Sequence, residues 1–227
     1  MGLPEDIVGW DVVNWSRALD YWESTLDLNL ADCRALELGC GDNGGVSLWL
    51  ATKGCKVLCS GYGGVKDATK TAHRAYGVES LIDYEAIDAR AIPFREVFDL
   101  ICYKSVLGAI VRNGSLQVAR DVIAQIMQAL KPGGRLLFAE NLASTRLHHA
   151  LRKWSGAGKN RWRYFTIDEL VELHAGFTAF EYSTFGFTGC LGRSEGQRRL
   201  LGGLDGRLFD RIVPDRWHYV MSGIATK

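Results

Sequence analysis

The part of the sequence with the clearest potential for chemistry is a glycine-rich turn at residues 39–45, which reads GCGDNGG. Glycine has no Cβ atom, so a turn of this kind lets the backbone approach a ligand closely. Gly39, Gly41 and Gly44 match the spacing of the dinucleotide-binding pattern, but that pattern alone is weak evidence for any ligand. The elements that position the turn must therefore decide which ligand it serves.

Two carboxylates end predicted strands near this turn. Glu37 lies two residues before the first glycine, and Asp88 ends the third predicted strand. Ligands of open α/β sheets bind where the carboxyl ends of the parallel strands meet. Either acid alone is better explained as the cap of a neighbouring element, but their joint placement favours a binding site.

Apolar runs alternate with helical patterns along most of the chain, and this order predicts the fold. The predicted strands are 34–38, 56–60, 81–87, 98–103, 135–140, 177–187 and 217–225, and the predicted helices include 46–53, 68–76 and 116–130. Strands that alternate with helices form a parallel sheet with helices on both faces. We expect an α/β fold with a Rossmann-like, doubly wound sheet of seven strands, mostly parallel with an antiparallel C-terminal edge strand.

The composition is that of a globular protein of 227 residues, with 47% hydrophobic and 23% charged side chains. It excludes a disordered chain, a collagen and a coiled coil. The formal net charge of +1 provides no overall attraction to nucleic acid or to an anionic membrane. The N-terminal segment lacks the pattern of a secretory signal, and no stretch reaches the roughly 20 apolar residues that span a bilayer.

The six cysteines contain no C-x-x-C pair, which predicts buried reduced thiols and no zinc or other metal site. We therefore expect a cytoplasmic protein. Near the N-terminus, Trp15, Ala18, Leu19 and Trp22 have the spacing of one helix face, with Asn14 as the predicted N-cap. Two interpretations of this face stay open: core packing, or a roof over a ligand cleft formed with Trp10.

Four features in chain order resemble the class I S-adenosylmethionine-dependent methyltransferases. They are Glu37, the glycine-rich turn, Asp88 and the KPGG segment at residues 131–134. The resemblance runs over residues 33–141 and, more loosely, over 165–177 and 217–227. It implies a single domain with an N-terminal helical cover (1–32), a cofactor-binding core (33–141), a basic aromatic lid segment (142–165) and the C-terminal part of the sheet (166–227).

The resemblance implies S-adenosylmethionine as the cofactor and assigns roles to individual residues. Glu37 lies beneath the glycine turn and orders the ammonium end of the cofactor. Asp88 accepts a hydrogen bond from the adenine amine, and Ala89 donates its backbone N–H to the ring. The other implied cofactor-binding residues are Gly39, Cys40, Gly41, Gly61, Tyr62 and Tyr103, the last near the methionyl part.

One position departs from the family pattern. The family has an acid at the end of the second strand, where its oxygens accept the ribose hydroxyls, and this sequence has Gly61. The loss of such a paired contact costs about 1–3 kcal/mol. Ser60 and Tyr62 are the candidates to replace part of it, and a degenerate site is the alternative.

The methyl acceptor is less well defined by the sequence. No N/D-P-P-Y/F segment follows the fourth strand and no Pro-Cys pair provides a nucleophile, so DNA bases are not expected substrates. Ala109 stands where many small-molecule relatives carry a histidine. The remaining candidates for a catalytic base are Glu140, His148 and His149, and each has the alternative of a purely structural or surface role.

Residues 146–163 hold six Lys or Arg residues and no Asp or Glu. This segment is either a solvated face or a lid that grips an anionic or sugar acceptor. Residues 47–51, 104–108 and 160–164 look like a bacterial methyltransferase subgroup associated with surface-polysaccharide and small-molecule biosynthesis.

We therefore predict a methyltransferase that uses S-adenosylmethionine and acts on an oxygen, less readily a nitrogen, of a small molecule or glycan. No nucleic-acid partner is expected. Two alternatives stay open: a non-catalytic binding protein with this fold, and an NAD-linked oxidoreductase. The second is disfavoured because Asp88 and the KPGG segment would then be coincidences.

Overall fold

A computed structural model describes residues 2–112, 115–155 and 162–227, apart from the side chains of Leu147, His149, Lys153, Trp154 and Ser155. Seven strands form one sheet in this part of the chain. They are β1 (Arg34–Leu38), β2 (Lys56–Gly61), β3 (Ile82–Ala86), β4 (Phe98–Lys104), β5 (Leu130–Asn141), β6 (Ala179–Phe185) and β7 (Val220–Thr226). Their order across the sheet is β3-β2-β1-β4-β5-β7-β6.

Helices cover both faces of the sheet. They are α1 (Leu3–Val8), α2 (Val12–Thr25), α3 (Gly45–Thr52), α4 (Asp67–Ala75), α5 (Leu107–Val111), α6 (Leu116–Ala129), α7 (Arg146–Ser155), α8 (Ile167–Leu173), α9 (Glu195–Leu204) and α10 (Asp210–Ile212). None of these described helices is long and apolar enough to cross a membrane.

Strand β1 shows how the two faces acquire their cores. Ala35 packs in a cluster that includes Trp22 and Leu48 from α2 and α3, whereas Leu36 packs on the other face with Ile123 of α6. Successive strand residues point to opposite faces, and a strand buried on both faces is apolar at nearly every position. The continuous apolar runs in the sequence reflect this double burial.

The pairing of the strands confirms the predicted fold. β1 pairs in parallel with β2 and β4, and β4 pairs in parallel with β5, so these strands end at one edge of the sheet. β7 lies antiparallel between β5 and β6. In the sheet, β2 lies on one side of β1 and β4 lies on the other, so the strand order reverses its direction at β1. Open α/β sheets bind their ligands at such a point of reversal.

Two local predictions need correction. Residues 131–134, which separate the predicted helix 116–130 from the predicted strand 135–140, lie within β5 and form an irregularity in its pairing with β4. Asn14 does not cap α2, because the helix begins at Val12. The Glu195 carboxylate accepts hydrogen bonds from the backbone N–H groups of Asp11 and Val12 at 3.1 and 2.8 Å, so a distant residue caps this helix.

Candidate active site

A cavity of about 750 Å³ opens at the carboxyl edge of β1, β2 and β4, beneath α1. Its volume lies within the usual range for small-molecule sites. It is lined by all the predicted cofactor-binding residues except Tyr103, namely Glu37, Gly39, Cys40, Gly41, Gly61, Tyr62, Asp88 and Ala89. The structure thus brings the glycine-rich turn and both strand-end acids around one space.

Glu37 fixes the glycine-rich turn to the start of α3. Its Oε1 accepts the backbone N–H of Val46 at 2.7 Å, and Oε2 accepts that of Ser47 at 2.8 Å. A carboxylate is favoured there because the first N–H groups of a helix have no partner within it. Burial raises the pKa of Glu37, and these hydrogen bonds oppose the rise. The side chain therefore lies beneath the turn, as predicted, with its oxygens on the backbone.

The glycines of the turn meet different requirements. Gly39, Gly41 and Gly45 all have positive φ angles, between 65 and 71°. A Cβ atom on Gly39 would lie 2.7 Å from Val106 Cγ2, whereas one on Gly41 would meet no atom within 4 Å. Gly39 therefore permits close packing of the turn against the segment after β4, and Gly41 leaves its backbone open toward the cavity.

Asp88 lies on the cavity wall and is held by Arg90. Arg90 Nε lies 3.0 Å from Asp88 Oδ1, and Nη2 lies 2.8 Å from Oδ2. This pairing lowers the pKa of Asp88, so the carboxylate is charged. The Arg90 guanidinium also lies 5.8 Å from the centre of the exposed Tyr62 ring. Arg90 also donates its backbone N–H to Asp88 Oδ1 at 2.9 Å, so a ligand amine would share the two carboxylate oxygens with Arg90.

The backbone leaves no room for a side chain at Gly61. A Cβ atom there would lie 2.7 Å from the carbonyl oxygen of Gly64, because a tight turn closes over Gly61, with Gly64 N donating to Gly61 O at 3.0 Å. Ser60 does not replace the acid, since it is buried and its hydroxyl donates to Glu37 O at 2.6 Å. The turn that follows Gly61 therefore excludes a side chain at this position.

Strand β4 ends differently from the prediction. Tyr103 does not line the cavity: it is fully buried and stacks on Phe138, with ring centroids 5.7 Å apart. Lys104 lines the cavity in its place, because β4 extends one residue further than predicted and neighbouring strand residues face opposite sides. Burial lowers the pKa of Lys104, with Glu37 and Glu140 opposing.

Glu140 is placed as an anchor of the segment after β4. Its Oε1 accepts the backbone N–H of Leu107 at 2.7 Å, and the residue is fully buried. Burial raises its pKa to about 7. Glu140 is not among the described residues that line the cavity. Its contacts are therefore those of a residue that holds the backbone, and not those of the predicted catalytic base.

The predicted histidine bases lie in α7. His148 is buried, with Nε2 2.6 Å from the carbonyl oxygen of Phe187 and its ring stacked on Tyr219. It is not among the described residues that line the cavity, because it faces the protein interior on the packed side of α7. The side chain of His149 lies outside the described residues.

Two described arginines of the basic segment, Arg152 and Arg163, pack against the protein, whereas Arg146 is exposed. Arg152 is 3% exposed, and its guanidinium lies 4.8 Å from the centre of the Tyr164 ring. Arg163 Nη2 pairs with Glu169 Oε1 at 2.6 Å. Lys159 and Arg161 lie outside the described residues, as does the side chain of Lys153.

A second cavity of about 390 Å³ adjoins the first. Both cavities are lined by Lys104, Ser105 and Trp162. The rest of the second wall comes from Trp10, Trp15, Asn141, Arg152, Tyr164, Cys190 and Tyr219. Core packing and a place above a cleft are therefore both observed for the N-terminal tryptophans. Trp15 is buried in the core and also lines this cavity together with Trp10.

Several site residues were not predicted from the sequence. Lys104 could have been found by extending the strand alternation one residue past Tyr103. The ion pair of Arg90 with Asp88 has a weak signal, a basic residue two positions after the acid.

Comparisons with known proteins agree with this geometry. Residues 36–138 match the family model of a methyltransferase domain. No curated protein sequence matches the chain. Among solved structures, phosphoethanolamine N-methyltransferase 2 of Haemonchus contortus, in complex with S-adenosylmethionine, is 17% identical with a TM-score of 0.65. The match covers 94% of this chain and 52% of that one, so the chain spans about half the length of that enzyme.

Two further structures have the same fold. Geranyl diphosphate C-methyltransferase of Streptomyces coelicolor is 12% identical with a TM-score of 0.64, over 94% of this chain and 79% of that one. An S-adenosylmethionine-dependent methyltransferase of Methanosarcina mazei is 18% identical with a TM-score of 0.59, over 91% and 96% of the two chains. Residues 36–138 thus match a methyltransferase domain, and the chain has the fold of the class I S-adenosylmethionine-dependent methyltransferases.

Proposed function

We propose that the protein binds S-adenosylmethionine in the first cavity and transfers its methyl group to a small molecule held beside it. One observation carries this proposal: the glycine-rich turn and the Asp88 carboxylate border the same cavity of about 750 Å³. The match to a methyltransferase domain supports it and favours it over an NAD-linked oxidoreductase.

The residues present fit this cofactor. The open backbone at Gly41 suits the methionyl end, and the charged Asp88 suits the exocyclic amine of adenine. Ile87 and Ala89 line the same wall and offer an apolar slot for the base. When bound, S-adenosylmethionine supplies an electrophilic methyl group on a sulfonium. The chain's own part is to hold the two reactants in line and to exclude water.

We propose an oxygen atom of a small molecule or glycan as the methyl acceptor, with a nitrogen atom as the alternative. The second cavity supports an acceptor of modest size, because it adjoins the first at Lys104, Ser105 and Trp162. Glu140 then has a positioning role, since its carboxylate holds the backbone of Leu107 just after the strand that carries Lys104. A base is needed only where the acceptor must lose a proton.

A non-catalytic binding protein is the second candidate function. It is favoured by the closed turn at Gly61, which removes the ribose-binding acid, and by the ion pair that engages Asp88. Both features weaken cofactor binding relative to a complete site. This alternative makes a different prediction, since such a protein would bind a ligand without consuming it.

An activity assay separates the two. Purified protein is incubated with S-adenosylmethionine and a panel of phenols, hydroxy acids and sugar phosphates, and released S-adenosylhomocysteine is measured by mass spectrometry. Release that depends on one class of acceptor supports methyl transfer, and at limiting S-adenosylmethionine the Asp88→Ala variant should release less S-adenosylhomocysteine than Asp83→Ala. Binding of S-adenosylhomocysteine without release for any acceptor would favour the non-catalytic protein.

A further inference from the structure

The described wall of the second cavity holds cations without acids, whereas the first cavity is lined by both. Lys104 and Arg152 contribute cationic side chains to the described wall of the second cavity, and no Asp or Glu residue is part of that wall. Arg152 Nη1 donates to the carbonyl oxygen of Leu142 at 3.0 Å, which fixes the guanidinium in place. Two cations that face a small enclosed space attract an anion, because the field of a charge is weakly screened away from bulk water.

The ammonium group of Lys104 is the part of this wall that a bound anion would contact. Within the described residues its ammonium group donates no hydrogen bond and forms no ion pair, and Nζ lies 4.9 Å from the centre of the Trp15 ring. Burial lowers the pKa of Lys104, although Glu37 and Glu140 oppose this. A bound anion would restore the stability of the charged form.

Three acids act from outside the described wall, namely Glu37 and Glu140 on Lys104, and Asp11 behind Tyr219. Asp11 is fully buried and accepts a hydrogen bond from the Tyr219 hydroxyl, so that hydroxyl separates the carboxyl group from the cavity. Burial raises the pKa of Asp11 to about 7, which places part of the population in the neutral form near pH 7. No acid is among the described lining residues, so the charge on the wall itself is positive.

The remaining wall is largely aromatic. Trp10, Trp15 and Trp162 contribute indole rings, and Tyr164 and Tyr219 contribute phenol rings, over which the Arg152 guanidinium lies at 4.8 and 5.3 Å. Flat aromatic faces bind flat rings and the apolar faces of sugars. With a volume of about 390 Å³, the second cavity suits one ring with a small substituent.

We propose that the second cavity is the acceptor site and that it takes a small ring-bearing anion, with Lys104 and Arg152 holding the anionic group. This inference rests on the proposed function, because it names the class of acceptor that receives the methyl group. Trp162, which lines both cavities, then separates the two reactants from solvent on one side. A carboxylate and a phosphate share the required chemistry, and binding experiments distinguish them.

The test is calorimetric titration with matched charged and neutral probes, with and without saturating S-adenosylhomocysteine. The probes are 4-hydroxybenzoate against 4-hydroxybenzamide, and glucose 1-phosphate against methyl glucoside. We expect at least one anion to bind at least tenfold more tightly than its neutral counterpart. Tighter binding of 4-hydroxybenzoate would identify an aromatic acid, and tighter binding of glucose 1-phosphate a sugar phosphate.

Variants test whether the preference for anionic probes arises in the second cavity. Lys104→Gln should lose the tenfold preference, and Lys56→Gln, at an exposed strand start, should retain it. Arg152→Gln, checked for folding by thermal unfolding, provides a second variant on the opposite cation. Equal binding of charged and neutral probes to the unmodified protein would overturn the proposal, as would a preference that survives in Lys104→Gln and in folded Arg152→Gln. Failure of S-adenosylhomocysteine alone to bind would instead count against the proposed function.

Discussion

A Cβ atom on Gly45 would lie 2.7 Å from both carboxylate oxygens of Glu37. The absence of a side chain at Gly45 therefore lets the carboxylate reach the N-terminus of α3 and hold the glycine-rich turn in place. The turn, the strand end and the helix start form one unit, and its geometry depends on an acid and a glycine eight residues apart in the sequence.

Glu37→Gln tests this unit. Glutamine keeps one acceptor but places an NH₂ group against backbone donors, so we expect the free energy of unfolding to fall by about 2 kcal/mol. For a chain of this size, that corresponds to a melting temperature lower by roughly 4–8 °C. Differential scanning calorimetry measures the change, with Glu85→Gln on the exposed side of β3 as control. Equal melting temperatures for Glu37→Gln and the unmodified protein would contradict the assignment.

Asp88→Ala tests the adenine end of the first cavity. We expect affinity for S-adenosylhomocysteine to fall about tenfold, equivalent to about 1.4 kcal/mol, because the variant lacks the acceptor for the exocyclic amine. The fold should persist, since the lost ion pair with Arg90 lies near the surface. Calorimetric titration provides the measurement, and Asp83→Ala, exposed on β3, is the control. An unchanged dissociation constant would refute the role of Asp88.

Gly61→Asp tests whether the missing acid can be restored. We expect the variant to lose about 1–3 kcal/mol of stability, because its Cβ atom would overlap the carbonyl oxygen of Gly64. We expect no gain in affinity for S-adenosylhomocysteine. Gly63→Asp is the matched control, since a Cβ atom there meets nothing within 4 Å. Normal stability together with tighter binding in Gly61→Asp would show that this turn accepts a ribose-binding acid.

The raised pKa of Glu140 predicts a pH-dependent contribution to stability. Glu140 titrates near 7 in the folded protein and near 4.5 when exposed, so the unfolded chain releases this proton first as the pH rises. The contribution of this group to stability is therefore complete at low pH and falls as the pH rises through 4.5 to 7. Glutamine cannot ionise, so Glu140→Gln removes this dependence.

Urea denaturation at pH 5 and pH 8 measures the effect. Between these two values, the free energy of unfolding of the unmodified protein should fall relative to that of Glu140→Gln by about 2 kcal/mol. In the control variant Glu85→Gln, the free energy of unfolding should change with pH in parallel with that of the unmodified protein. Parallel pH profiles for the unmodified protein and Glu140→Gln would exclude a raised pKa at this position.

The sheet and the first cavity could be predicted from the sequence because their signals are local. Apolar runs of strand length, punctuated by glycine, fix the strands, and the family resemblance and the fold that it implies are both confirmed. The acids Glu37 and Asp88 lie at strand ends, so the topology alone brings them to one edge.

Other features depend on contacts between distant parts of the chain. Glu195 caps α2 from 183 residues away, which displaces Asn14 from the predicted cap. The second cavity gathers Trp10, Arg152 and Tyr219 from segments that no periodicity relates. The error at Tyr103 has a local origin. Strand β4 is one residue longer than predicted, so Lys104 faces the cavity and Tyr103 faces the core.

Calorimetric titration of the unmodified protein with S-adenosylmethionine, S-adenosylhomocysteine and NAD in parallel shows which cofactor the first cavity binds. We expect micromolar dissociation constants for the first two ligands and no binding of NAD, despite the closed turn at Gly61. Binding of NAD without S-adenosylmethionine, or no binding of any of the three, would contradict the proposal that this cavity binds S-adenosylmethionine.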